Sequence, residues 1–178
     1  MLSVNGLTVE FPGRLETVTA VQDVSLTVEA GTIHGLVGES GAGKSTIGAA
    51  ILGMIPEPGY RATGTLQLRE TRLEGLSPRE WHALRGKRIS MIFQEPQTSL
   101  DPLMTIEEQL VETIVSHQRI SRATASQRAA ALLSETGIPN AEWRMRAYPH
   151  QFSGGMRQRA VIALALAPEP ELIIADEP

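Results

Sequence analysis

The run Gly38-Glu39-Ser40-Gly41-Ala42-Gly43-Lys44-Ser45-Thr46 constrains this chain more than any other stretch. It fits the pattern Gly-x4-Gly-Lys-Ser, with an apolar run (residues 32–37, Thr-Ile-His-Gly-Leu-Val) before it and a helical pattern (44–52) after it. The glycines let the backbone turn until several N–H groups converge on one point, where side chains would keep a polyphosphate away. The helix opening adds partial positive charge. Lys44 brings a full charge to the β/γ-phosphates, and Ser45 Oγ is placed to ligate Mg2+. The competing reading is an ordinary glycine-rich turn capping a helix; the filled pattern in a strand–loop–helix context argues against it. Alone, the motif predicts a nucleoside triphosphate and does not separate kinases, GTPases and ATPases.

The rest of the chain reads as one α/β domain. With 178 residues, 42% of them hydrophobic, it can bury a sizeable core. The net charge of −4 gives no electrostatic footprint for nucleic acid, and without cysteine there is no disulfide, thiolate or cysteine-held metal. The first six residues lack a basic region followed by an apolar run, so no secretory signal is expected, and no stretch has the apolar length of a membrane span. Residues 21–28 alternate as a half-buried antiparallel strand, with Val24, Leu26 and Val28 on one face. Further strands are expected at 2–10, 32–37, 65–68 and 89–93, and a buried one at 172–175. Helices are predicted to start at Ser77-Pro78, at Thr105, at Ser121 or Thr124, and near Gly155. Strands and helices alternate at both ends around a helical insert.

A second constellation narrows the choice. Phe152-Ser153-Gly154-Gly155-Met156 precedes a helix, and Leu172-Ile173-Ile174-Ala175-Asp176-Glu177 is an apolar strand ending in two acids. By itself the first reads either as an anion site at a helix N-terminus or as a plain cap by Ser153. Together with Gly38–Thr46 and with Gln94 in Ile92-Phe93-Gln94-Glu95-Pro96, however, these stretches resemble the motifs of the ATP-binding-cassette (ABC) ATPases, in that family's order. Gly38 to Thr46 looks like the Walker A loop, residues 172–177 like Walker B with its adjacent glutamate, and Gln94 like the Q-loop glutamine. Ser153-Gly154-Gly155 matches the centre of the signature sequence, with Phe152 and Met156 replacing its usual outer Leu and Gln. The stretches 93–102 and 148–159 are similar to the dipeptide/oligopeptide and nickel importer branch.

The resemblance implies a RecA-like P-loop NTPase core with an N-terminal antiparallel β-subdomain (about 1–99 and 168–178 together) and a helical signature subdomain (about 100–167). It implies ATP and Mg2+ as cofactors. Gly38, Glu39, Ser40, Gly41, Ala42, Gly43, Lys44, Ser45 and Thr46 would hold ATP, with Phe11 stacked on adenine where the family more often has Tyr. Ser45, Gln94 and Asp176 would hold the metal, and Glu177 and Gln94 would serve catalysis. Ser153, Gly154, Gly155 and Met156 would meet the γ-phosphate of a second cassette subunit, identical or paralogous. Transmembrane permease subunits and, indirectly, a solute-binding protein are the further partners expected at the cytoplasmic face of the inner membrane; no nucleic acid is expected. His34 reads as a core or edge histidine, His150 as a residue shaping the signature loop, and Arg144, Arg146, Arg157 and Arg159 as solvated helix faces. The family continues beyond Asp176-Glu177-Pro178 with a D-loop, another strand and a switch histidine. The expectation is therefore a C-terminally truncated cassette, with an unpaired sheet edge and poor ATP turnover on its own. A soluble cassette ATPase of DNA repair or translation, and an inactive nucleotide-binding module, remain the alternatives.

Overall fold

The computed structural model describes residues 1–94 and 99–178; the part of the importer-like stretch at 95–98 lies outside the described residues. The described chain forms two compact units, Met1–His82 and Ala83–Pro178.

In the first unit, β1 (Leu2–Pro12), β2 (Thr17–Val28), β3 (Tyr60–Leu68) and β4 (Thr71–Arg72) make one antiparallel sheet in the order β2-β1-β3-β4. Inner strand β1 buries Leu2, Val4, Leu7 and Val9. The step from Val4 to Leu7 breaks strict two-residue alternation. Gly6, at φ 59°, supplies left-handed backbone there, and the register with β2 shifts between Val4 and Leu7. The irregularity returns Leu7 and Val9 to the buried face. In β2, Val24, Leu26 and Val28 are half-buried and Ser25 and Thr27 exposed, as the alternation predicts. Helix α1 (Lys44–Ile51) packs against β2 and buries Ile47, Ala50 and Ile51. Helix α2 (Pro78–Leu84) opens on a reciprocal cap. Ser77 Oγ accepts from the Glu80 amide at 3.3 Å, and the Glu80 carboxylate accepts from the Ser77 amide at 2.8 Å.

Two strand expectations need correction. Residues 32–37 form no strand; all six are exposed, Ile33 and Val37 almost completely. Apolar composition alone does not make a strand, because a strand needs a neighbour for its ladder hydrogen bonds, and none of the described strands pairs with this run. His34, read as a core or edge residue, is consequently exposed. The second case is β6 (Leu172–Ala175), which is a strand but not a buried one. Leu172 and Ile174 are half-buried while Ile173 and Ala175 are exposed. Among the described residues β6 pairs with β5 (Ile89–Ile92) alone, so one face and one edge stay uncovered.

The second unit holds that parallel pair and a helical cluster. Helices α3 (Ile106–His117), α4 (Arg122–Glu135), α5 (Ala141–Arg144) and α6 (Gly154–Leu166), with a 3-10 turn at Pro149–Gln151, surround one apolar core. Ile106, Leu110 and Ile114 on α3 are fully buried at helical spacing. Each contributes about 2 kcal/mol of burial. The Thr105–Glu108 capping box that opens α3 is worth about 1 kcal/mol. Packing therefore decides that α3 forms, and the cap decides where it starts. Hydrogen bonds from the Thr105 amide and hydroxyl hold the Glu108 carboxyl below its usual range.

Thr105→Ala is expected to lower the unfolding free energy in urea by about 1 kcal/mol, and Ile114→Ala by about 3 kcal/mol. Because the folded-state value of Glu108 is depressed, its contribution is present above the ordinary carboxylate range and is lost as pH falls through the depressed value. Thr105→Ala should therefore flatten the acid side of the stability profile. An unchanged acid limb would contradict the capping box.

Candidate functional site

The phosphate-type loop lies in the first unit and is closed around its own lysine. The Lys44 ammonium donates to the Gly38 carbonyl at 2.9 Å and to the Glu39 carbonyl at 2.8 Å. The Ala42 amide donates to the Glu39 carbonyl at 3.2 Å. Gly41 and Gly43 hold φ of 81° and 83°, left-handed backbone that glycine adopts without cost. At Gly43 a Cβ would also sit 2.3 Å from the Ala20 carbonyl oxygen on β2. The loop is thus a tight turn pressed onto the sheet rather than a stretched strand. Residues 38–42 and Ser45 are exposed, with Lys44 and Thr46 half-buried. Gly43 caps α1 with no side-chain hydrogen bond. The amides of Lys44, Ser45 and Thr46 open the helix and have no intrahelical acceptor. Uncapped amides, an ammonium and open space around Gly41 suit a polyphosphate. Phe11 lies in the same unit, half-buried, its ring against Gly59: a Cβ on Gly59 would come within 2.4 Å of it.

In the second unit the parallel pair brings distant polar residues together. Ile92 faces Ala175 in the register, and the Asp176 amide donates to the Ile92 carbonyl at 3.0 Å. Just beyond the strand ends, Gln94 Nε2 donates to Glu177 Oε2 at 2.6 Å. Asp176 is half-buried, Glu177 is exposed, and Glu177 takes a left-handed φ of 46°. Gln94, Asp176 and Glu177 therefore gather at the C-terminal ends of two parallel strands, where open α/β sheets bind ligands. Among the described residues no group of three or more His, Cys, Asp or Glu assembles. A divalent cation here would draw on few protein oxygens and on its ligand's own, which is how Mg2+ is ordinarily held beside phosphates.

Ser153 caps α6, its hydroxyl accepting from the Met156 amide at 3.3 Å. Ser153, Gly154 and Gly155 are exposed, and a Cβ on either glycine would meet nothing within 4 Å. Phe152, just before, is a buried member of the helical core. The hydroxyl thus does serve as a plain cap, on a surface open to an incoming group.

The arginines near this turn are not all solvated faces, as sequence reasoning had them. Arg157 Nε donates to the Pro149 carbonyl at 2.8 Å, and an Arg159 amino group donates to the Gly137 carbonyl at 2.8 Å. Arg144 reaches Met156 Sδ at 3.8 Å. Only Arg146 is simply exposed. The Arg157 and Arg159 guanidiniums satisfy carbonyls at the ends of neighbouring turns, a role with no sequence signature beyond basic residues next to helix ends. His150 stacks on Tyr148 with ring centroids 5.6 Å apart, beside the turn it was expected to shape.

A family model described as ABC transporter matches residues 21–178. The dipeptide transport ATP-binding protein DppD of Lactococcus lactis is 45% identical over 179 residues, covering 100% of this chain and 51% of that protein. The oligopeptide transport ATP-binding protein OppD of Salmonella typhimurium is 45% identical over 178 residues, covering 100% of this chain and 53% of that protein. The chain spans about half the length of the curated relatives it matches. Among solved structures, the dimeric post-hydrolysis state of the ATP-binding cassette MJ0796, bound to ADP and Pi, superposes with a TM-score of 0.85. It is 28% identical, and the match covers 99% of this chain and 73% of that one.

Gly43→Ala is expected to cost about 1–3 kcal/mol of stability, from left-handed strain and the clash with Ala20. Gly38→Ala, whose Cβ would meet its nearest neighbour at an ordinary 3.5 Å, should stay within about 0.5 kcal/mol of the parent. Urea unfolding of the two variants side by side checks this; equal effects would contradict the loop geometry.

Proposed function

The chain belongs to the ABC transporter family, and on that premise we propose that it is the ATP-binding part of an importer that couples ATP binding and hydrolysis to solute uptake. The proposed solutes are dipeptides or oligopeptides, after the names of its relatives; nickel, from the branch resemblance, ranks second. The reading rests on the Lys44 ammonium, which already bonds to two carbonyls of its own loop. An ammonium held at that point can exchange its carbonyl partners for phosphate oxygens with little rearrangement, so binding costs little ordering entropy. The loop amides would then cradle the β/γ-phosphates.

Ser45, Gln94 and Asp176 are the side chains proposed to hold Mg2+, which when bound would offset charge on the phosphates. Glu177 is the proposed general base or polariser for the attacking water, with Gln94 beside it. Phosphoryl transfer asks for little covalent help, so these residues act by position and charge. Phe11, half-buried with its ring against Gly59, is proposed to stack on adenine. Ser153, Gly154, Gly155 and Met156 are proposed to face the γ-phosphate of a second cassette subunit. That assignment is supported by their open surface and by the dimeric state of the structural neighbour. The helical region, about 100–167, is the part proposed to meet the permease subunits, with a solute-binding protein acting further upstream. Attachment is proposed to be peripheral, at the cytoplasmic face, through those subunits, after the transport role of its relatives; among the described residues no helix is long and apolar enough to cross a membrane.

Lys44→Ala in the complete protein should weaken ATP binding about 100-fold or more, roughly 2.7 kcal/mol, in a titration with a fluorescent nucleotide. Glu177→Gln should keep ATP bound while turnover falls about 100- to 1000-fold. Uptake of labelled dipeptide by vesicles carrying the assembled system, lost with either change, tests transport. ATP turnover with no solute movement, or association with ribosomes instead of a permease, would defeat the importer reading.

A further inference from the structure

At the far ends of β5 and β6 from the carboxylates stands an ion pair that no motif marks. Arg88 precedes β5 and Glu171 precedes β6. Arg88 Nε donates to Glu171 Oε1 at 2.8 Å and its amino nitrogen donates to Glu171 Oε2 at 3.2 Å, a fork-to-fork pair. Each side chain is less than one-third exposed. The backbone repeats the contact, since the amides of Glu171 and Leu172 both donate to the Arg88 carbonyl, at 2.9 and 3.0 Å. The Glu171 hydrogen bond holds the guanidinium above even its usual high value. From this anchor the register runs Ile89 to Leu172, Ser90 to Ile173, Met91 to Ile174 and Ile92 to Ala175. It ends at the Asp176 amide on Ile92 and at the Gln94–Glu177 contact.

Parallel pairs are slightly weaker per residue than antiparallel ones, and among the described residues this sheet has two strands. A slip of one residue would turn every side chain to the other face. The ladder is only four residues long on each strand, so few side-chain contacts resist a slip. A bidentate charge pair at its origin supplies the missing constraint. We infer that Arg88 and Glu171 are positioning residues: by fixing where β6 starts against β5, they fix where Asp176 and Glu177 end relative to Gln94. Neither touches substrate. The inference deepens the proposed ATPase reading and rests on it for its kinetic consequence.

A neighbouring pair provides the control. Arg128 on α4 pairs with Glu169, two residues upstream of Glu171 in the same connection, but binds it to the helical cluster rather than to β5. The test uses the complete protein with Arg88→Gln, Arg88→Lys and Arg128→Gln. Hydrogen exchange at the Asp176 amide, measured without nucleotide, should quicken about 10-fold or more in Arg88→Gln, while global unfolding in urea shifts far less. ATP turnover should fall about 10-fold with KM for ATP within about twofold. Arg88→Lys keeps the charge but loses the fork, and should fall between parent and Arg88→Gln in both readouts; it also serves should Arg88→Gln fail to fold. Arg128→Gln should leave Asp176 exchange and turnover near the parent. Unchanged exchange in Arg88→Gln, or equal changes in Arg128→Gln, would overturn the inference. Absence of ATP turnover in the parent would instead defeat the ATPase reading, while the exchange result would still stand.

Discussion

Gln94 and Glu177 lie 83 residues apart in the chain and meet because β5 and β6 run side by side in parallel. That pairing is the constraint on which the second unit depends. A parallel connection cannot be made by a tight turn; it needs a long crossover. Here the crossover is the helical insert, whose core includes Ile92 of β5 itself. One apolar cluster therefore packs the insert and anchors a strand of the site. Where two short strands stop together, their following residues become neighbours without any further instruction, and this is how an amide and a carboxylate come within hydrogen-bond reach.

The first unit solves a different problem: how to keep a cationic side chain beside backbone, with no carboxylate paired to it among the described residues. Lys44 bonds to peptide carbonyls, and the glycines let the loop bend far enough to present them. A carboxylate in that place would form a stronger, charge-assisted pair and compete with an incoming phosphate. Neutral carbonyls satisfy the ammonium and yield it more readily. The sheet beneath sets the height of the turn through the contact of Gly43 with Ala20.

Much of this was legible in the sequence wherever a local rule acts alone. The caps at Ser77, Thr105, Ser121 and Ser153 were readable because a short polar side chain next to an amphipathic run has few other uses. The alternation of β2 was readable for a similar reason. β1 was harder, since Gly6 resets its phase and leaves apolar residues at mixed spacing. Residues 32–37 were misjudged because composition reports propensity and says nothing of which neighbour supplies the ladder. The glycine loop and the two terminal acids were legible as motifs, yet the hydrogen bond between Gln94 and Glu177 was not, for it depends on the register of strands far apart in the chain. Arg88 and Glu171, and the arginines that hold carbonyls near Ser153, carry no pattern of spacing at all. A charged residue announces solvent until the fold shows what lies across from it.

The unpaired stretch at 32–37 has a consequence for how this polypeptide behaves in concentrated solution. Ile33 and Val37 project almost fully into water, and none of the described strands pairs with the run. Six residues with no acid, no Lys or Arg and no proline are what cross-molecule β-pairing selects. An exposed apolar run of this kind is a template for pairing with a second molecule, and a charge at Ile33 would blunt it.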